Sequence, residues 1–304
     1  MDAARLADRL DAFFHIDRYP LEDFAEIEDF CREAGVPLAE YATPSFMRRH
    51  NGLMLDNAPR IEAVYTLVFP SPEVLAEVER RAAGRPALIF THHPMDFETS
   101  GRGLIPVGTG WLERLRDDHI SLYSAHAPLD CHESVSTSRA LARALGVPAE
   151  AAFAGYMGGH AGVHGRIDAT SLDDFLDRAR EACGVERVDA KRHDGRVRHV
   201  AVVAGGAAFP GLMQEALDAS SEGGSASGGG CDTYVTGDFR VRHGGPWAEQ
   251  HRPEFDAFVE EVPLNLVGAS HYATEALVLR HDMIDFFRGL DLPVEFVPQS
   301  DPWR

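Results

Sequence analysis

The sequence predicts an α/β protein with mixed sheets covered by helices. Three observations predict it. Short β-branched runs end in polar or glycine-containing turns and pass into stretches of helical period, as sheets layered with helices do. His193-Asp194-Gly195 lies between two strand-like runs and reads as a hairpin turn, which brings antiparallel pairing into the sheets. The parts on either side of about residue 150 carry comparable strand and helix content, which suggests two related units, 1–150 and 151–304.

In chain order, the strands are expected at 61–69, 87–90, 120–124, 197–204, 233–236 and 264–267. Helical spacing of Leu, Ala, Glu and Arg predicts helices over 72–83, 110–117, 134–145, 172–183, 210–219 and 273–288. Gly205-Gly206 follows a buried strand and reads as a tight strand-to-helix turn. It is also a place where backbone can approach a ligand closely. The stretch Ser220–Gly230 is Gly/Ser-rich and reads as a flexible loop; without a lysine it is no P-loop.

Composition excludes several function classes. The 304 residues hold 29 Lys+Arg against 48 Asp+Glu, a net charge of −19. That balance disfavours direct nucleic-acid binding, which needs a basic face, and docking on anionic lipid. The N-terminus lacks a basic segment followed by an apolar one, so no signal peptide is expected. The longest apolar stretch, 200–213, is broken by Gly205, Gly206, Pro210 and Gly211 and is too short to span a bilayer. Cys31, Cys131, Cys183 and Cys231 lie far apart. Their spacing suggests neither a disulfide framework nor a cysteine zinc site, but reduced thiols in a cytoplasmic protein.

Three strand ends carry the candidate chemistry. Thr91-His92-His93-Pro94 follows an apolar strand. Adjacent side chains on a strand point to opposite faces, so both imidazoles reach one pocket only if the strand ends there, and Pro94 favours that ending. Taken alone, the pair also fits a surface or capping role. His126-Ala127-Pro128-Leu129-Asp130 follows the next apolar run; alone, Asp130 also reads as a cap or turn former. His271-Tyr272-Ala273-Thr274-Glu275 opens a helix, and its i, i+4 spacing puts His271 and Glu275 on one face, either as an ordinary polar pair or as two ligands. Together His92, His93, Asp130, His271 and Glu275 supply three neutral nitrogens and two anionic oxygens. That set suits Zn, Mn, Fe, Co or Ni better than Ca or Mg. Five ligands exceed what one open site needs, and two divalent ions account for the number.

On these residues the sequence resembles the Nif-three-like dinuclear-metal family, some of whose members carry the name GTP cyclohydrolase I type 2. The resemblance runs from about Asn51-Gly52-Leu53 to the C-terminus. It passes through the three motifs above, Gly159-His160-Ala161-Gly162-Val163 and Thr236-Gly237-Asp238. It places the metal ligands on the same five residues. It implies two interlinked α/β units with the metal site between them and a homohexameric ring. It also implies GTP cyclohydrolase-like hydrolysis by a metal-bridging hydroxide, with a small, nucleotide-like substrate. Ala127-Pro128 stand where the family carries polar residues. Val135-Ser136-Thr137 replace its Gly-Val-Asn stretch, and the first ~40 residues, the Gly/Ser loop and Gly244–Glu261 read as additions. These departures touch substrate specificity and remove no ligand.

Other polar residues stay open. His126 reads as a further ligand, as a residue that orients one, or as packing. Asp238 and His243 are candidate proton-transfer groups, Asp238 equally a cap, and His160 is a weaker one. Trp111 and Tyr156 read as core aromatics. Two further functions remain beside a hydrolase: a non-enzymatic metal-binding scaffold, chaperone or interaction protein, and a transcription-linked regulator, which the charge disfavours.

Overall fold

The computed structural model describes residues 1–19, 27–97, 104–219, 230–242 and 246–301. The chain is mixed α/β and forms two compact units. One gathers Met1–Glu98, Arg102–Leu129 and Leu279–Ser300, and the other is built on Asp130–Val278. Residues 220–229 of the expected Ser220–Gly230 loop and the candidate His243 lie outside the described residues.

The first unit opens with helix α1 (Ala3–Phe14), capped by the Asp2 side chain, which accepts the Arg5 N–H at 3.0 Å. Leu6, Leu10 and Phe14 recur at helical spacing and are buried. There follow α2 (Ile27–Glu33), α3 (Pro44–Met47), β1 (Gly52–Leu55), β2 (Ala63–Leu67), α4 (Pro72–Ala82), β3 (Ala87–Thr91), β4 (Asp96–Phe97), β5 (Leu104–Ile105), α5 (Thr109–Asp117) and β6 (Ile120–Ser124). Helix α4 starts cleanly because the Ser71 hydroxyl accepts the Val74 N–H and Pro72 fills the first turn.

Helix α6 (Ala127–Asp130) ends at the first residue of the second unit, which continues with α7 (Thr137–Ala144), β7 (Ala151–Tyr156), β8 (Gly159–Ser171), α8 (Leu172–Cys183), β9 (Asp189–Lys191), β10 (Arg196–Val202), α9 (Pro210–Asp218), β11 (Thr233–Thr236), α10 (Pro246–Glu261), β12 (Asn265–Gly268) and α11 (His271–Arg280). Its sheet has the order β7-β8-β10-β11-β12-β9. β10, β11 and β12 run parallel, while β7, β8 and β9 pair antiparallel.

Within α11 the chain re-enters the first unit, adding α12 (Asp282–Arg288) and β13 (Val294–Phe296). The helix expected over 273–288 is therefore two helices, separated at His281. The first sheet has the order β1-β6-β3-β2-β13, parallel except for the edge pair β1–β6. β2, β3 and β6 are buried at every residue, as parallel strands with both faces covered must be.

The hairpin expected at His193-Asp194-Gly195 does not form. β9 pairs with β12 at the far edge, while β10 lies between β8 and β11. The reason is Asn265, buried at the start of β12. Its side-chain oxygen accepts the N–H groups of His193 and Asp194, each at 2.9 Å, and its nitrogen donates to the Arg196 carbonyl at 3.1 Å. That anchoring holds the turn against β12 instead of closing it on itself. The sheet is mixed all the same, through β7–β8 and β9. The thirteen-residue β8 carries no apolar alternation that the sequence reading could use. Pairing with β7 on one side and β10 on the other supports it. Among the described residues no helix is long and apolar enough to cross a membrane.

Ser121 is fully buried on β6, and its hydroxyl accepts the N–H groups of Asn57 and Ala58 at 3.1 and 3.0 Å. Ser121→Ala leaves one buried and one half-buried donor unmet. The expected loss is about 1–3 kcal/mol, read as a lower urea midpoint at unchanged slope.

Candidate metal centre

In the first unit, β3 delivers the two adjacent histidines. The His92 and His93 N–H groups still bond to Leu67 and Val68 carbonyls, at 3.2 and 3.0 Å. The Thr91 hydroxyl contacts the Val68 carbonyl at 3.0 Å and the His93 carbonyl at 2.8 Å, which ties the turn down. The strand ends at Thr91, so the alternation of faces no longer separates the two imidazoles. Their ring centroids are 4.5 Å apart. His126, just past the end of β6, stacks on His92 at 4.6 Å and lies 4.6 Å from His93. Donor atoms of the three lie within 4.8 Å of one another. His92 is 0% and His93 4% exposed. Phe69 stacks on His93 at 4.3 Å and sets its ring plane.

The His92 Nδ1 lies 3.0 Å from the Ala125 carbonyl oxygen. A carbonyl only accepts, so Nδ1 carries the proton. In the neutral ring the lone pair then sits on Nε2, which is how a metal-binding histidine is prepared. Ala125 is held by its own N–H to the Thr91 carbonyl at 3.1 Å, and the Ser124 hydroxyl donates to the His92 carbonyl at 3.1 Å. The Asn51 side chain accepts the His126 N–H at 2.8 Å.

In the second unit, α11 starts at His271 and presents Glu275 one turn later. His271 Nε2 and Glu275 Oε1 are 3.0 Å apart. Ser270, directly before the helix, has φ +81°, a conformation that costs a non-glycine residue about 1–3 kcal/mol. Its carbonyl accepts the Thr274 N–H at 3.1 Å, and its hydroxyl contacts Asp301. The Thr274 hydroxyl meets the Gly205 N–H at 3.0 Å and packs α11 against the turn after β10. Gly205 has φ +80°, and a Cβ there would lie 2.3 Å from Glu275 Oε1. A Cβ on Gly237 would meet His271 N and Cα at 2.7 and 2.6 Å. Both positions need glycine, and both face the predicted ligand pair. The turn role read for Gly205-Gly206 and the close backbone approach are thus one feature.

Asp130 ends α6 and accepts the Thr137 hydroxyl at 2.6 Å. Asp238 is buried, and its Oδ1 is 2.5 Å from Arg242 Nε. It lines a cavity of about 230 Å³ together with Asp189, Lys191, Phe239 and Arg240. His160 is exposed on β8. Trp111 packs on the apolar core with the Arg114 guanidinium 4.1 Å above its ring. Asn51, Thr91, Ser124, Thr137, Ser270 and Thr274 support the candidate ligands and were not singled out for this from the sequence. Their one signal is a hydroxyl or carboxamide beside a buried strand end or helix start.

The fold and these donors define an α/β protein with clustered histidines and carboxylates of metal-ligand type. The chain matches the Duf34/NIF3 (NGG1p interacting factor 3) family over residues 47–302 and belongs to it. It is 27% identical over 250 residues to a GTP cyclohydrolase 1 type 2 homolog of Deinococcus radiodurans, covering 80% of this chain and 81% of that one. It is 27% identical over 248 residues to the protein of the same name from Borreliella burgdorferi, covering 81% and 87%. Similar solved structures include TTHA1606 from Thermus thermophilus, with 21% identity, TM-score 0.63 and 99% of each chain covered. Reduced HcgD from Methanocaldococcus jannaschii matches with 21% identity, TM-score 0.65 and 98% of each chain covered.

Gly205→Ala is expected to cost about 1–3 kcal/mol, through left-handed backbone and overlap with Glu275. Gly206→Ala, whose Cβ meets nothing nearer than His271 Nδ1 at 3.3 Å, is expected to cost less. Paired denaturation curves check the order.

Proposed function

We propose that His92, His93, Asp130, His271 and Glu275 hold two divalent transition-metal ions and that the chain is a metal-dependent hydrolase. Zn, Mn, Fe, Co and Ni all suit this set. The observation that carries the reading is the tautomer of His92, whose Nδ1–H is engaged by Ala125 so that Nε2 offers its lone pair. Within their own units, the other donors are buried or half-buried and positioned by named neighbours. When bound, two such ions supply a Lewis acid for an electrophilic carbon or phosphorus and lower the pKa of a water towards about 7.

The chain's own groups do the rest. Ala125 and Phe69 fix the two β3 imidazoles, Thr137 orients Asp130, and Ser270, Gly205 and Gly237 set His271 and Glu275 in place. His126, half-buried against His92 and His93, is the group we assign to proton transfer at the substrate. Asp238 is held by Arg242, and we assign it to shaping the surrounding turn. The names borne by relatives 25–27% identical make hydrolytic opening of a purine-nucleotide-like ring the first reaction to assay. A homohexameric ring in the cytoplasm completes the proposal.

Elemental analysis of the purified protein, with its mass in solution, is expected to give at least two divalent ions per chain in a closed ring. His271→Ala and Glu275→Gln are expected to lose metal and turnover with the circular-dichroism spectrum retained. Undiminished turnover in metal-free protein overturns the hydrolase reading. Metallated protein inert towards nucleotides, phosphoesters and cyclic amides favours the scaffold instead. Metal affinity is expected to fall as pH drops below about 6.5, because neutral imidazole is the ligand and protons compete for it.

A further inference from the structure

A second group of soft and nitrogen donors lies inside the second unit. It shares no residue with the proposed dinuclear centre. His164 is on β8, His199 on β10, and Cys231 directly precedes β11. Their exposures are 4%, 1% and 4%.

The sheet register makes the two histidines neighbours. Ala201 pairs with His164 and His199 with Arg166 across the antiparallel β8–β10 ladder. Opposite residues share a face and so do residues two apart, so His164 and His199 lie diagonally on one side of the sheet. His164 Nδ1 and His199 Nε2 are 3.0 Å apart. Ala201 on that same side belongs to the apolar core with Met213, Ala216 and Cys231.

Cys231 is fastened into this arrangement from both ends. Its N–H donates to the Ala216 carbonyl at 2.9 Å. The next residue, Asp232, donates its own N–H to the His199 carbonyl at 2.9 Å. The Asp232 carboxylate also accepts the N–H groups of Arg198 and His199, each at 3.1 Å. Two bonds thus tie the residue after Cys231 to the backbone of His199 itself. Donor atoms of all three side chains come within 4.8 Å of one another.

We propose that His164, His199 and Cys231 form a second metal site, of two-imidazole, one-thiolate type, that takes one zinc ion per chain. Zinc–nitrogen bonds of about 2.0 Å and zinc–sulfur bonds of about 2.3 Å place tetrahedral ligand atoms about 3.3–3.6 Å apart. The two nitrogens, 3.0 Å apart, are within a few tenths of an ångström of that spacing, and the thiol sulfur lies within 4.8 Å of both. Coordination releases the thiol proton to solvent, forms the zinc–sulfur bond and changes no oxidation state. Three protein ligands leave a fourth position for water. Without a cation the three side chains are a buried polar cluster beside an apolar core. An ion that accepts all three lone pairs gives the cluster a use that packing alone does not.

The test separates this site from the first by its sulfur. The full-length protein is stripped with chelator and reloaded with cobalt(II). A thiolate-to-cobalt charge-transfer band in the near ultraviolet is expected, because the five dinuclear-centre ligands include no thiolate. The band should vanish in Cys231→Ser and persist in Cys183→Ser and His271→Ala. Wild-type protein loaded with zinc should show a sulfur neighbour in X-ray absorption, which needs no variant to fold. Zinc per chain should fall by one in Cys231→Ser. Absence of both the band and the sulfur neighbour overturns the proposal and leaves a packed histidine pair. A band that survives in Cys231→Ser also overturns it.

Discussion

The hydrogen bond from His92 Nδ1 to the Ala125 carbonyl is the constraint around which the first unit's donors are arranged. It decides which nitrogen of a buried imidazole is basic, and it does so with backbone. The bond exists only if the ends of β3 and β6 stay level. That level is kept by the parallel register of the two strands and by the Ala125 N–H on the Thr91 carbonyl. Slipping the register by one residue would invert every side chain in the strand and remove the acceptor. The fully buried runs of β2, β3 and β6 therefore do more than fill a core. They hold a carbonyl where one ring needs it.

The second unit meets the same need through steric exclusion. Glycine at 205 and 237 leaves room for a carboxylate and for the start of a helix where any Cβ would collide. Ser270 carries the strained backbone that turns β12 into α11 at His271. Strain at the residue before a predicted ligand, retained despite its cost, is the kind of outlier that marks a working site. Hydroxyls of Thr274 and Ser270 then secure the turn against its neighbours.

Much of the fold was legible because burial leaves a simple record. The runs that became β2, β3, β6, β11 and β12 are short, apolar and closed by turn residues, and the helices between them keep a helical period. The record fails where other contacts decide. β8 is polar and glycine-rich, and two flanking strands make it a strand. The turn at 193–195 has the composition of a hairpin, yet one buried Asn265 side chain takes its N–H groups and sends β9 to the opposite edge. Local turn chemistry carried no information about a partner some seventy residues away.

By itself the sequence determined the α/β class, the family resemblance and the five donor residues proposed as ligands. Each of these rests on local pattern: periodicity, motif and the chemistry of side chains at strand ends. Only the tertiary structure decided which imidazole nitrogen is available, which hydroxyls stand behind the donors, and why a side chain at either of two glycines carries a cost. It alone brought His164, His199 and Cys231 together, since a spacing of 35 residues between the histidines and 32 from His199 to the cysteine matches no metal motif. The physical reason is common to all of these. Tautomer, cradle and cluster depend on atoms of distant strands meeting within bonding distance, and only the sheet register brings those atoms into reach.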